Sequence, residues 1–166
     1  MNKMITQQEI FIKIALDAWN TYIDRTGKLF ESLTNEELNR QVAENRNTAL
    51  YLLGHLAAVH DGMLPLLGFR ERLYPALEAV FVKNPDRSGL EKPTADLLRK
   101  NWNEVNRALT DHFNKLTPDE WFQKHNSISA EDFVKEPHRN RLNVLVTRTN
   151  HLASHYGQLV FLKKQN

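Results

Sequence analysis

No cysteine occurs in this chain, so disulfides and thiolate metal sites are both excluded. Any thiol chemistry must use a thiol brought in from outside. No apolar run approaches the roughly 18 residues needed to span a bilayer. Met1–Gln8 is polar and lacks the apolar segment of a secretion signal, so a cytoplasmic protein is expected. No excess of one charge is present either: the net charge is +2, with acidic and basic residues mixed along the sequence. That is a poor footprint for a nucleic-acid binder, which carries a basic stripe or patch. Strand signals are nearly absent, Ala79-Val80-Phe81-Val82 being the one short candidate. Glycine-rich phosphate loops and nucleophile-elbow patterns are missing as well.

What is there is helical periodicity in a chain of 166 residues, a length that fits a single domain spanning residues 1–166. Apolar residues at 41% and charged residues at 25% give an ordinary globular balance, enough to bury a core without covalent staples. From Ile10 to Phe30, Phe11, Ile14, Ala15, Ala18 and Tyr22 recur at helical steps and predict one inward face. Thr34, followed three residues later by Glu37, is a capping-box pattern opening a short turn. A second long helix is predicted over 47–67, with Ala49, Leu52, Leu53, Leu56, Val59 and Met63 inward, Pro65 near its end and Gly68 as its stop. The third starts near Pro93 and carries Leu97, Leu98, Trp102, Val105, Leu109, Phe113 and Leu116 on one face. Leu116-Thr117-Pro118-Asp119-Glu120-Trp121 then echoes the segment from Leu33 to Leu38. The fourth is predicted over 140–163 through Leu142, Leu145, Leu152, Tyr156 and Leu159.

Four amphipathic helices with one apolar face each predict an all-α fold, a four-helix bundle. The connection from Gly68 to Lys92 is too long for a tight turn, and it predicts a crossover that leaves helices two and three parallel. Pro85-Asp86-Arg87-Ser88-Gly89 marks its expected exposed tip.

Seven histidines are the departure from an ordinary composition. His151 and His155 stand four apart in the fourth helix, so they project about 40° apart, one turn above the other, and can share one ion. Relative to an apolar face centred on Leu152 they lie about 100° and 60° to one side, on the shoulder where one helix meets its neighbour. His55 sits on the same kind of shoulder of helix two, about 100° from Leu56, and also near mid-helix. Three neutral imidazoles with an open position form the three-histidine arrangement of catalytic zinc sites. His60 points about 140° away from His55, so the two cannot share an ion; its place in the apolar face predicts a hydrogen-bonded core histidine. His112, His125 and His138 are read as structural or incidental. Leu152 stands where a helical zinc-protease motif requires Glu, and no Glu-x-x-His motif of a di-iron bundle is present.

Leu53-Gly54-His55-Leu56-Ala57-Ala58-Val59-His60 and Asn150-His151-Leu152-Ala153-Ser154-His155-Tyr156-Gly157-Gln158 resemble the DinB/YfiT-like superfamily. The most specific part is His-x-x-x-His-x-Gly-Gln on the last helix, preceded by a lone histidine on helix two. The resemblance covers nearly the whole chain. It implies an up-down-down-up bundle with a long connection between helices 2 and 3. It implies a divalent metal, commonly nickel or zinc, on His55, His151 and His155, and it implies a homodimer. Gln158 matches the family's Gly-Gln, with no settled role.

Characterised relatives include metal-dependent transferases and isomerases that use low-molecular-weight thiols, so a thiol S-transferase acting on a small electrophile is the first functional expectation. The alternatives are a non-enzymatic, stress-related dimeric bundle and a metal-dependent hydrolase working through bound hydroxide. Arg148, one turn before His151, either attracts an anionic thiol or makes an ordinary ion pair. Tyr51, one turn before His55, is either a proton donor or a packing aromatic.

Overall fold

A computed structural model of the chain describes residues 5–163. Part of the Met1–Gln8 segment read for a secretion signal therefore lies outside the described residues. The described chain is helical, with no named strand. In order come α1 (Gln7–Ser32), α2 (Asn35–Leu38), α3 (Ala49–Asp61), α4 (Met63–Leu66) and α5 (Ala76–Phe81). They are followed by α6 (Ala95–Phe113), α7 (Pro118–Trp121), α8 (Ala130–Lys135), α9 (Arg141–Leu159) and a 3-10 turn (Val160–Leu162).

Local sequence starts these helices. Thr34 with Glu37 forms the expected capping box, and Thr117 with Glu120 completes its echo. Thr6 with Glu9 forms another that opens α1. Thr48, Thr94, Ser129 and Asn140 each accept a backbone N–H at the start of α3, α6, α8 and α9. Such a cap contributes about 1 kcal/mol against alanine.

Several sequence expectations need correction. The inward face of α1 is Ile12, Trp19, Thr26, Leu29 and Phe30, while Phe11 and Ile14 are 64% and 60% exposed. The first half of α1 has apolar residues on both sides, so periodicity alone selects the wrong stripe. Leu97, on the first turn of α6, is also exposed. The second long helix breaks after Asp61, because Pro65 has no N–H to bond back to the Asp61 carbonyl, and α4 restarts beyond Gly62. Ala79-Val80-Phe81 belongs to helix α5, since Leu77 and Phe81, one turn apart, bury together against α3. Within the expected exposed tip Asp86 is buried, paired with Lys92 at 2.6 Å and accepting Thr48 N–H at 2.7 Å.

α1 packs along α9, and α3 packs along α6 and under α5. The connection after α3 is pinned: both Asp61 carboxylate oxygens accept backbone N–H groups, from Leu73 at 2.7 Å and Tyr74 at 3.0 Å. Arg72 donates to the Ala58 carbonyl at 3.1 Å. These contacts lay α5 across the middle of α3, beside the two histidine-bearing turns.

His60 is fully buried between Trp19 and Trp102, with ring centroids 4.8 and 5.1 Å away. Asn106 donates to the Trp102 carbonyl, so its amide oxygen is left to accept His60 Nδ1–H at 2.8 Å. Burial pushes the His60 pKa down to about 3, against the Asn106 hydrogen bond and with help from the charges of His151, Arg148 and His55. The folded state therefore keeps His60 neutral, while the unfolded chain binds its proton below about pH 6.5. Stability from this residue is complete above that pH and is lost as pH falls toward the folded value. Between pH 7 and pH 5 the loss is about 2 kcal/mol. Urea unfolding at the two pH values is expected to show a drop about that much larger for the wild type than for His60→Leu.

Candidate metal centre

The centre is assembled by α3, α5 and α9. His151 and His155 come from successive turns of α9, and His55 from the facing side of α3. Their Nε2 atoms converge: His55 to His151 is 3.2 Å and His151 to His155 is 3.1 Å. All three ligand atoms lie within 4.8 Å of one another. Two nitrogens on one zinc ion stand about 3.3–3.4 Å apart in a tetrahedron and about 2.8–3.0 Å apart at right angles. The two close pairs fall between these limits. No Asp or Glu joins the cluster among the described residues.

Partners on the far side of two rings decide where the lone pairs point. His55 Nδ1–H donates to the Phe81 carbonyl at 2.7 Å, and a carbonyl can only accept. His155 Nδ1–H donates to Gln158 Oε1 at 3.2 Å. Both rings therefore present a bare Nε2 to the centre. His151 has one ring proton at most to give toward them, so the neutral cluster leaves at least one pair of lone pairs facing each other. A shared cation removes that conflict. Burial, and then the neighbouring charges of His155, His55 and Arg148, push the His151 pKa down to about 4. Burial also lowers that of His155. Both shifts favour the neutral imidazole of His151 and His155 that metal ligation requires.

Gly54 makes the Phe81 contact available. A Cβ there would meet the Phe81 ring at 2.4 Å, so only glycine lets α5 lie this close to α3. Phe81 then delivers its backbone carbonyl to His55. Sequence reading missed this partner because a carbonyl leaves no side-chain signature; the glycine immediately before His55 was the available signal.

Tyr51 stacks on His55, 6.2 Å between centroids and 10° between planes. Its hydroxyl is turned onto the Asn84 carbonyl at 2.7 Å and the Phe81 carbonyl at 3.2 Å, and burial raises its pKa. Arg148 is half-buried, its Nε sealed from solvent without a hydrogen-bond partner, and no carboxylate pairs with it among the described residues. Gln158 lies beside His155 on the rim of a cavity of about 640 Å³ that His155 and Gly157 also line. His60 sits apart, on the other side of α3, and His112, His125 and His138 lie outside the cluster.

Fold and site together define a helical protein with a three-imidazole cluster between two of its long helices. The sequence profile of the DinB superfamily matches residues 18–159, most of the chain, and the protein belongs to that superfamily. A search among curated proteins finds no match.

A chelator-competition titration is expected to give one tightly held zinc ion per chain. His151→Ala should abolish it. Gln158→Leu and Gly54→Ala, which disturb the partners of His155 and His55, should weaken it by about 10- to 100-fold.

Proposed function

We propose that the protein is a metal-dependent S-transferase that joins a low-molecular-weight thiol to a small electrophile. The observation that carries this reading is the set of three imidazole Nε2 atoms turned on one point, two of them fixed there by acceptors behind their rings. His55, His151 and His155 would hold a divalent ion such as nickel or zinc through uncharged ligands, and its charge would lower the pKa of a thiol brought to the site.

The chain's own residues do the rest. The Phe81 carbonyl and Gln158 hold the His55 and His155 rings in register. The cavity beside His155 admits the reactants. The half-buried Arg148 adds positive potential that favours the thiolate over the thiol. The thiol proton leaves to solvent, the sulfur lone pair forms the new C–S bond, and the leaving group departs with the electrons of the bond it breaks. Tyr51, whose hydroxyl is spent on two carbonyls, supports the His55 ring by packing.

In this reading α1, α3, α6 and α9 form a four-helix bundle of up-down-down-up order in a single cytoplasmic domain. The packing of α1 on α9 and α3 on α6, and the long pinned connection after α3, support it. The protein also works as a homodimer. Phe11 and Ile14 of α1 stand exposed beside an apolar hollow of about 450 Å³ shared with Leu142 and Val146 of α9. Projections and hollow on one patch suit a two-fold contact, in which each copy supplies both.

Two measurements test these readings. Protein loaded with zinc, nickel or manganese is expected to consume a chromogenic electrophile only when a thiol is added, with His151→Ala at background. Turnover without thiol would instead indicate hydrolysis, and no turnover with any pairing would leave the non-enzymatic dimer. Sedimentation analysis is expected to show a dimer that Phe11→Glu with Ile14→Glu converts to a folded monomer.

A further inference from the structure

The cavity beside the imidazole cluster has an uneven chemistry. One wall is the loop before α3, with Asn45, Arg46 and Asn47; the other is the end of α9 and its 3-10 turn, with Gly157 and Phe161. Among the described residues Arg46 is the only Lys, Arg, Asp or Glu lining it. Arg46 also lines the neighbouring hollow with the buried Asp86, which is already engaged by Lys92 and by Thr48 N–H. No ion pair or side-chain hydrogen bond to Arg46 is present among the described residues. Arg46 is exposed and lines both this cavity and the hollow beside it, and no carboxylate is paired with its side chain among the described residues.

The opposite wall carries two further peculiarities. Phe161 is 82% exposed, a large ring at the cavity edge with nothing packed over it among the described residues. Gly157 lies inside α9, where glycine costs about 1 kcal/mol relative to alanine, yet a Cβ there would meet nothing within 4 Å. No packing within the chain calls for that glycine. It keeps the cavity wall down to bare backbone next to His155.

We propose that this cavity is the subsite for an anionic arm of the thiol, a carboxylate held by Arg46, with the chain of the thiol lying over Gly157 toward the cluster and Phe161 covering it. The proposal rests on the S-transferase reading and narrows it to thiols that carry a carboxylate. Arg46 is a binding residue that touches the non-reacting end. A guanidinium matches a carboxylate with two parallel hydrogen bonds, which gives direction as well as charge.

Cobalt-loaded protein titrated with 3-mercaptopropionate and with 2-mercaptoethanol tests this through the thiolate-to-cobalt absorbance band. The two probes are of similar length and differ in their charged end. The acid is expected to bind at least about tenfold more tightly than the alcohol. Arg46→Gln should remove that advantage and leave the affinity for 2-mercaptoethanol unchanged, while Arg46→Lys should retain part of it. Equal binding of both probes to the wild type, or an equal loss of both in Arg46→Gln, would overturn the proposal and leave the S-transferase reading standing.

If neither thiol gives the band, that reading fails, and a second arm decides the subsite alone. Calorimetric titration of the same proteins with benzoate is expected to show binding weakened about tenfold in Arg46→Gln. Indistinguishable benzoate affinities would remove the anion subsite whatever the metal does.

Discussion

The centre depends on one close approach, that of the Phe81 ring over Gly54. Without a Cβ at residue 54, α5 settles directly on α3, and the carbonyl at its end reaches His55 Nδ1 at 2.7 Å. That hydrogen bond selects the tautomer of His55 and aims its free nitrogen across the gap to α9. The hydroxyl of Tyr51 shares the same carbonyl and closes the stack behind His55. A long connection that looks like mere linkage in the sequence is thus the back wall of the site. Its anchors are specific: Asp61 takes two of its amides, Arg72 bonds to α3, and Asp86 ties its end to the start of α3.

Charge follows from the same construction. The cluster has only neutral donors, and the cations near it, Arg148 and Arg46, have no carboxylate paired with them among the described residues. Protonating the histidines would add charge to a place with no acid to balance it, which is why burial and mutual repulsion hold His151 far below its ordinary value. The two arginines therefore leave positive potential beside the cluster that no acid balances among the described residues. His60, one turn and more along α3, shows the contrasting solution. It is sealed between two indoles, given one amide partner, and used for packing.

Much of this was legible in the residues, and the gaps have physical causes. The four-residue spacing of His151 and His155 and the place of His55 on a helix shoulder permitted one shared point, because side-chain direction in a helix is fixed by residue number, and the family resemblance joined the three. Separation of His60 from His55 followed from the same rule. The capped turns at Thr34 and Thr117 were readable because a capping box is a local interaction. The stripe of α1 was not, since Phe11, Ile14, Ile12 and Leu16 give apolar residues on both sides, and only the neighbours choose between them. The segment around Val80 read as a strand by composition, while its burial against α3 makes it a helix. Backbone partners such as the Phe81 carbonyl, and cavity walls joined from residues 46 and 161, depend on tertiary approach and leave no pattern in a single segment.

The position of the cluster in the packing gives it a mechanical consequence. α9 is held chiefly by α1, and α3 chiefly by α6 and α5, so the face between α3 and α9 is the more loosely joined one. The three imidazoles stand on that face. With two imidazoles on one helix and the third on the other, an ion shared by the three would also fix the spacing of the two helical pairs. The cavity beside His155 lies between the 42–47 loop that precedes α3 and the end of α9. The weak helix contact and the imidazole cluster belong to one arrangement: His55 of α3 meets His151 and His155 of α9 beside the apolar cluster that Leu52, Leu56 and Leu152 share.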